Sequence, residues 1–250
     1  MTYCVGVLVE DGLVMIADTR TNAGLDDIST YRKLHHFNVP GERVMMLASA
    51  GNLSVTQSVL SLLSEGVTGD DGEPKLKLVE TTTMFEAAQL VGRAIRRVRA
   101  IEKTGFEAAG LRFSVSLLFG GQIGSEPMRL FLIYSAGNFI ECSTDAPFLQ
   151  IGEHKYGKPI LDRAVKFETE LYDALKVGLV SMDSTMRSNL GVGLPIDIAL
   201  ARRNALDLEV NHRIEAGEGY FHDLRERWSA ALRAAHRAIP RPPYGPAPTK

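Results

Sequence analysis

The order of apolar runs and turn residues predicts an α+β fold in which two antiparallel sheets lie between outer helices. Strand-like runs occur in groups, and segments that repeat apolar residues at helical spacing separate those groups. Grouped strands favour antiparallel sheets over the regular alternation of a parallel βαβ sheet. With 250 residues, 45% of them hydrophobic, the chain is long enough to bury the core that such layers need.

The first elements predict a β-hairpin. Residues 3–9 have the alternation of a strand, and residues 13–17 form a second apolar run. Glu10-Asp11-Gly12 between them contains an Asp-Gly pair, which is a strong hairpin signal. Residues 18–27 are polar and contain glycine, so we expect a loop there, and residues 43–48 predict a third strand.

Two amphipathic helices follow the third strand. The first is predicted to begin after the N-cap Asn52 and to end at Gly66. Residues 67–80 hold Gly, Asp, Pro and Lys and predict an exposed loop, and the second helix opens after residues 81–83. Their apolar faces should pack on a sheet. These faces consist of Val55, Val59, Leu62 and Leu63 in the first helix, and Met84, Ala88, Val91, Ile95 and Val98 in the second.

The remainder of the chain predicts further strands, two helices and a tail. We expect one domain over residues 1–238. Residues 239–250 hold five of the eleven prolines, so we expect an extended, mobile tail. The predicted strands are 113–119, 128–135, 139–142 and 196–201, and the predicted helices are 171–182 and about 219–235.

Composition argues against several classes of protein. The net charge of -2 lacks the basic excess of nucleic-acid binding proteins, and the run Arg93, Arg96, Arg97 and Arg99 is interpreted as a solvated helix face. Residues 44–64 carry no charge but are too polar to span a membrane. The first twenty residues lack a secretory signal. We therefore expect a cytoplasmic protein whose two cysteines are free.

No metal or cofactor is predicted. The six histidines show no pair at ligand spacing on one helix, and neither cysteine has a partner nearby. Gly191-Val192-Gly193 and Gly217-Glu218-Gly219 do not join a strand to a helix with the full phosphate-binding fingerprint. A Gly-x-Ser-x-Gly motif is also absent, which argues against an α/β-hydrolase.

The N-terminus suggests a catalytic residue. Met1 is followed by Thr2, a small residue, and then directly by a strand. Removal of Met1 would give Thr2 a free α-amine, whose ordinary pKa is roughly 7.7–8.0. Such an amine can act as the base that a weakly nucleophilic hydroxyl needs. Because Met-Thr is common at the start of chains, the surrounding sequence has to decide between this role and a trivial one.

Several segments together match the pattern of one family. They are TYCVGV at residues 2–7, DGLVMIADTRTNAG at 11–24, ISTYRK at 28–33, Ala50-Gly51 after a strand, and SMDSTMRSN at 181–189. In these segments the chain resembles proteasome β-type subunits, and in particular Anbu, the bacterial ancestral β-subunit branch. The resemblance covers about residues 2–235 and implies an N-terminal-nucleophile hydrolase fold, a four-layer αββα sandwich.

The resemblance also implies roles for single residues. Thr2 would be the nucleophile and, through its amine, the base. Lys33 would lie beside the Thr2 oxygen, and Asp18 would hold Lys33 in place. Gly51 would donate its N–H to the oxyanion, where a Cβ would obstruct the approach. Asp183 would support the amine, together with Ser184 or Thr185. The implied reaction is amide hydrolysis through an acyl-enzyme on Thr2.

The same family positions suggest where the substrate binds. Thr21, Tyr31, Ser49 and Leu53 would line the specificity pocket, and this mixture is neither acidic nor basic. It implies a peptide or small amide as substrate. The chain departs from many relatives at Glu153, which stands where a serine near the threonine amine is expected. Met1 is all that precedes Thr2, so we expect activation to depend on removal of Met1 alone.

The resemblance finally implies a homo-oligomer, either an open ring or a helical, lock-washer assembly. No motif for docking an ATPase is evident, and neither nucleic acid nor a membrane is expected as a partner. The leading hypothesis is a threonine peptidase. Two alternatives stay open: a proteasome-fold scaffold of little or no activity that organises partner proteins, and an amidohydrolase of small non-peptide amides.

Overall fold

The strands of the protein form two five-stranded antiparallel sheets. The computed structural model describes residues 1–22, 28–69 and 74–244. The first sheet has the order β10 (Phe148–Gly152), β1 (Tyr3–Val9), β2 (Gly12–Asp18), β11 (Ile196–Arg202) and β12 (Val210–Ile214). The second has the order β5 (Leu34–His36), β6 (Arg43–Gly51), β7 (Val115–Ile123), β8 (Arg129–Ile133) and β9 (Phe139–Glu141). Outside them β3 (Arg20–Asn22) pairs with β4 (Ile28–Thr30).

Helices cover the outer face of each sheet. Helices α1 (Leu53–Glu65) and α2 (Met84–Ala108) pack on the second sheet, and α3 (His154–Ala164) lies against α4 (Leu171–Ser188), which packs on β1 and β2. The result is four layers in the order helix, sheet, sheet, helix. This arrangement confirms the predicted α+β fold of two antiparallel sheets flanked by helices.

Alternation along the strands builds two apolar cores. In β6, Val44, Met46 and Ala48 point into the core between the sheets, whereas Met45 and Leu47 point toward α1 and α2. Successive side chains of a strand face opposite sides, so one strand contributes to both cores. The apolar stripe predicted for α2 is fully or almost fully buried in the outer core, which confirms its packing on a sheet.

The chain groups into two compact units, Met1–Ala216 and Gly217–Lys250, where one domain over residues 1–238 was expected. The four layers belong to the first unit. The second contains helix α5 (Gly219–Ala238), in which Arg227 donates to Asp223 one turn earlier. Of the predicted Pro-rich tail, residues 245–250 lie outside the described residues.

Several local predictions are wrong. Residue 18 still belongs to β2, and residues 20–22 pair with residues 28–30 rather than forming a loop; residues 23–27 lie outside the described residues. In the predicted exposed loop, Val67 bridges to Leu76 and both Val67 and Leu78 are buried. In the described parts of the chain, every helix is too short or too polar to cross a membrane.

Asn52 begins helix α1 as predicted but does not cap it with its side chain. Its Oδ1 accepts instead from the Ser114 N–H at 2.7 Å, and its own N–H donates to the Ser114 carbonyl oxygen at 2.8 Å. The amide is therefore committed to the segment before β7. This double hydrogen bond ties the start of α1 to that segment, which borders the site described next.

Candidate active site

Thr2 lies immediately before β1, the strand of the first sheet that begins at Tyr3. Strand β1 runs between β10 and β2, so backbone pairing on both sides fixes the chain up to Tyr3. On the β10 side, the Glu153 N–H donates to the Thr2 carbonyl oxygen at 2.8 Å. The position of Thr2 therefore follows from the pairing of β1 and does not depend on the mobility of a chain end.

A buried ion pair lies beside Thr2. Lys33 precedes β5 of the second sheet, and Asp18 ends β2 of the first. Lys33 Nζ donates to Asp18 Oδ1 at 2.8 Å, and both side chains are almost completely buried. The ammonium also donates to the Arg20 carbonyl oxygen at 2.7 Å. The ion pair therefore lies at the interface of the two sheets. Asp18 comes from the first sheet, and Lys33 comes from the segment that leads into the second.

Two groups of the site bind the Met1 carbonyl oxygen. The Thr2 hydroxyl donates to it at 2.8 Å, and Lys33 Nζ donates to it at 3.3 Å. The Thr2 oxygen and the Lys33 ammonium therefore converge on one carbonyl. With Met1 present, the Thr2 nitrogen is an amide and has no basic lone pair. The same two groups would become available to another carbonyl once Met1 is removed.

Asp18 depends on its donors to stay charged. Burial raises the pKa of the Asp18 carboxyl, while the Lys33 ammonium and the N–H groups of Tyr3 and Gly193 lower it. The Tyr3 N–H donates to Oδ1 at 3.0 Å and the Gly193 N–H to Oδ2 at 3.4 Å. The pair therefore joins the N-terminal strand and the segment before β11 to Lys33.

Gly51 lies in the wall of the site that the second sheet supplies. It ends β6, and its φ of +116° lies in a region that side chains rarely adopt. A Cβ at this position would collide with the Ser114 carbonyl oxygen, which is held by Asn52. Only glycine fits here without strain. The residue lines the same cavity as Thr2, as its predicted role requires.

That cavity has a volume of about 820 Å³. Its lining includes Met1, Thr2, Lys33 and Gly51. All four residues proposed from the sequence for the specificity pocket, Thr21, Tyr31, Ser49 and Leu53, also line it. These residues come from the segment before β1, from β3, from β6 and from α1, so the fold brings together positions that are far apart in the chain.

Asp183 and Ser184 are placed differently. Both lie on α4, and neither is among the residues that line the cavity. Asp183 is fully buried, and its Oδ2 accepts from Arg187 Nε at 3.0 Å. Thr185, the alternative to Ser184, is buried and donates to the Ser181 carbonyl oxygen within the helix. The predicted support of the Thr2 amine by Asp183 and Ser184 stays a prediction.

Sequence reasoning missed a polar cluster that fastens α4 to the N-terminal strand. The Tyr3 hydroxyl lies 2.6 Å from Ser181 Oγ and accepts from Gln150 Nε2 at 2.5 Å. Burial raises the pKa of Tyr3 to about 12, so its hydroxyl stays protonated. Gly157 of α3 lies so close to this pair that a Cβ there would collide with Ser181 Oγ and with the Tyr3 hydroxyl oxygen. An alternating strand pattern marks Tyr3 only as a core residue.

A second missed residue is Leu111, which lines the cavity from the segment between α2 and β7. The sequence carried no signal for it, because an isolated leucine after a helix is common.

Among the described residues, no three His, Cys, Asp or Glu side chains form a cluster that could hold a metal ion.

The chain is similar to several proteins whose structures have been solved. No protein-family model and no curated protein matches the chain. Anbu from Hyphomicrobium sp. strain MC1 is 47% identical, with a TM-score of 0.86 over 96% of this chain and 98% of that one. Anbu from Yersinia bercovieri is 44% identical, with a TM-score of 0.88 over 98% of this chain and 100% of the other.

A third structure is that of the helical assembly of the Anbu complex from Pseudomonas aeruginosa. It is 43% identical to this chain, with a TM-score of 0.88 over 96% of this chain and 98% of that one. Identity at this level over nearly the full length of each chain shows common family membership and not a shared fold alone. The chain therefore belongs to the Anbu family of proteasome β-like proteins.

Proposed function

We propose that the protein is a threonine-type peptidase or amidohydrolase whose nucleophile is Thr2 after removal of Met1. The observation that carries the proposal is the convergence of the Thr2 hydroxyl and the Lys33 ammonium on one carbonyl oxygen, at 2.8 and 3.3 Å. A nucleophile and a cation that bind the same carbonyl are the groups that acyl transfer needs.

The first step is attack on the substrate amide. The freed α-amine of Thr2 takes the proton of its own hydroxyl, and the Thr2 oxygen forms a bond to the carbonyl carbon. Lys33, held by Asp18, favours negative charge on the Thr2 oxygen because its ammonium lies in a buried, poorly solvated position. Asp18 is a positioning residue, since it acts through Lys33.

The second step is collapse of the tetrahedral intermediate. The Gly51 N–H is assigned to the oxyanion, and removal of such a donor typically costs about 100- to 1000-fold in rate. The protonated α-amine then gives its proton to the leaving amine, and the carbon–nitrogen bond breaks. Water, deprotonated by the same α-amine, hydrolyses the resulting ester and restores the Thr2 hydroxyl. Asp183 and Ser184 are assigned to support of this amine.

Self-association is part of the proposal. The Pseudomonas aeruginosa relative forms a helical assembly, and its likeness to this chain supports a homo-oligomer of the open or helical kind here. A cytoplasmic location is also proposed, and it is supported by Cys4 and Cys142, which are both free thiols.

The test is turnover of a panel of amides by the chain without Met1. The panel contains unstructured peptides and small non-peptide amides, and each is given to the wild type and to Thr2→Ala. We expect wild-type turnover that Thr2→Ala reduces to background, with Thr2→Ser retaining part of it because serine supplies the same two groups. Turnover confined to the small amides would assign the protein to that alternative class.

A scaffold without peptidase activity is the second candidate. Two observations favour it: the Met1 carbonyl occupies both reactive groups, and Glu153 follows directly after the residue that pairs with Tyr3. A carboxylate near the amine would hold it protonated and unable to act as a base. Equal behaviour of the wild type and Thr2→Ala on every amide would favour this candidate and contradict the peptidase.

A further inference from the structure

Leu111 is an exposed apolar residue at the rim of the candidate active site. It lies between α2 and β7, lines the cavity that contains Thr2, and is 61% exposed. A large apolar side chain at the wall of a cavity gains most when a ligand covers it, because burial of apolar surface is favourable. The backbone of the segment that carries Leu111 is also held in place.

Backbone and side-chain contacts hold the segment that carries Leu111. The Leu111 N–H donates to the Phe106 carbonyl oxygen at 2.9 Å, and the rings of Phe106 and Phe113 meet edge to face at 5.7 Å. At the other end, Ser114 exchanges two hydrogen bonds with Asn52. The segment is therefore fastened on both sides of Leu111, at α2 and at the start of α1.

The charge of the cavity restricts what it can accept. Among the described residues that line it, Lys33 is the one charged side chain, and its ammonium is already bound by Asp18. Among the described lining residues a basic side chain would find no carboxylate, and an acidic one would compete with Asp18 for the Lys33 ammonium. Burial of an unpaired charge is costly, so charged side chains are disfavoured in either case.

Apolar surface is available to a neutral side chain. Tyr31, Leu53 and Leu111 all line the cavity, and Tyr31 and Leu111 are 41% and 61% exposed. The remaining lining includes the small polar residues Thr21, Ser49 and Thr56. These hydroxyls have partners in part: Ser49 and Thr56 donate to the backbone carbonyls of Lys33 and Asn52.

We infer that Leu111 is a specificity-determining residue and that the site selects amides whose scissile carbonyl belongs to a residue with an uncharged, apolar side chain. This inference rests on the proposed function, since it names the substrate class of the same site. The matching side chain covers Leu111, Tyr31 and Leu53, and the fastened segment keeps Leu111 in place for it.

The experiment compares peptide amides that differ only in that one side chain, Leu, Ala, Glu or Arg, on the chain without Met1. For the wild type we expect kcat/KM for Leu to exceed that for Glu and for Arg by about tenfold or more, since hydrophobic pockets discriminate by factors of this order. Leu111→Glu should lower the ratio of kcat/KM for the Leu substrate to that for the Arg substrate at least tenfold. Leu111→Met should keep the ratio of the wild type. Ile140→Glu is the matched control: Ile140 is exposed on β9 and does not line the cavity, so the ratio should stay unchanged.

Three outcomes would overturn the inference. A wild type that prefers Glu or Arg, or treats all four alike while Thr2→Ala is inactive, contradicts the substrate class but leaves the proposed function standing. Equal ratios for Leu111→Glu and Ile140→Glu contradict the role of Leu111. Absence of any turnover that depends on Thr2 removes the proposed function and this inference together. Thermal melting of each variant separates loss of selectivity from loss of fold.

Discussion

Lys33 Nζ lies 2.8 Å from Asp18 Oδ1 across the interface of the two sheets, and the side chains are 7% and 0% exposed. A buried ion pair is costly to form, but it is far more costly to break by removing one partner. Because Lys33 also binds the Met1 carbonyl, this pair connects the stability of the fold to the geometry of the candidate site.

Asp18→Asn tests that connection. The substitution keeps the shape of the side chain but leaves the Lys33 charge without its partner, so we expect the free energy of unfolding to fall by about 3–5 kcal/mol. Urea denaturation measures it. Glu141→Gln, which breaks the exposed pair with Arg129, is the control and should cost less than about 1 kcal/mol. Similar small losses for both variants would contradict the role of the buried pair.

Gly51→Ala should be more damaging than an ordinary glycine substitution. Its φ is +116°, and the new Cβ would collide with the Ser114 carbonyl oxygen. A strained backbone costs about 1–3 kcal/mol, and the collision adds to it. Gly41→Ala is the matched control, since its φ is +77° but nothing lies within 4 Å. Denaturation curves that give equal losses for the two variants would show that the Ser114 contact is unimportant.

Glu153→Ser tests the effect of a carboxylate near the Thr2 amine. The Glu153 N–H binds the Thr2 carbonyl oxygen, so its side chain begins close to the N-terminus. Removing a negative charge lowers the pKa of a nearby amine. We expect the acidic limb of the kcat/KM profile to move to lower pH by about 0.7 unit, because charges a few ångströms apart in water interact by about 1 kcal/mol. An unchanged profile, equal to that of the exposed control Glu168→Ser, would contradict this effect.

His35 should make the fold sensitive to mild acid. Burial lowers the pKa of His35, and its Nε2 is buried with no hydrogen-bond partner among the described residues. As the pH falls below the ordinary histidine pKa of about 6.5, His35 binds a proton in the unfolded chain before it does so in the folded protein. Its contribution to the free energy of unfolding is therefore complete above that pH and is lost as the pH falls toward the lowered pKa of the folded protein.

The measurement is the free energy of unfolding between about pH 7.5 and about pH 5. His35→Gln should flatten the dependence on pH, and His36→Gln, at the exposed neighbouring position, should not. If the wild type and His35→Gln lose stability in parallel, another group is responsible for the acid sensitivity.

The fold was predictable where one pattern dominated. The Asp-Gly turn and the two apolar runs around it predicted the β1–β2 hairpin, and a single apolar stripe predicted α2. Helix α3 was missed because Pro159 lies within it and few of its side chains are buried. Strand β10 was missed because its register comes from pairing with β1, far away in the chain, which local alternation does not encode. Strand β5 was missed because three residues are too few to show an alternating pattern.

The candidate site was predictable from family positions and not from local chemistry. Thr2, Lys33, Gly51 and all four pocket residues were proposed from the sequence, and the structure brings them to one cavity. Leu111 was not found, because its place at the cavity depends on the hydrogen bonds between Asn52 and Ser114. Tyr3 was not recognised as a polar anchor, because its partners Ser181 and Gln150 lie far along the chain.

Mass spectrometry of the N-terminal fragment, after the native protein is quenched during turnover of a slow peptide amide, tests directly whether Thr2 forms an acyl-enzyme. In the proposed mechanism Thr2, with its own amine free, carries the acyl group. We predict a fragment that begins at Thr2 and carries the mass of the acyl portion on its hydroxyl. A fragment that retains Met1 on essentially every chain and carries no acyl group would contradict it.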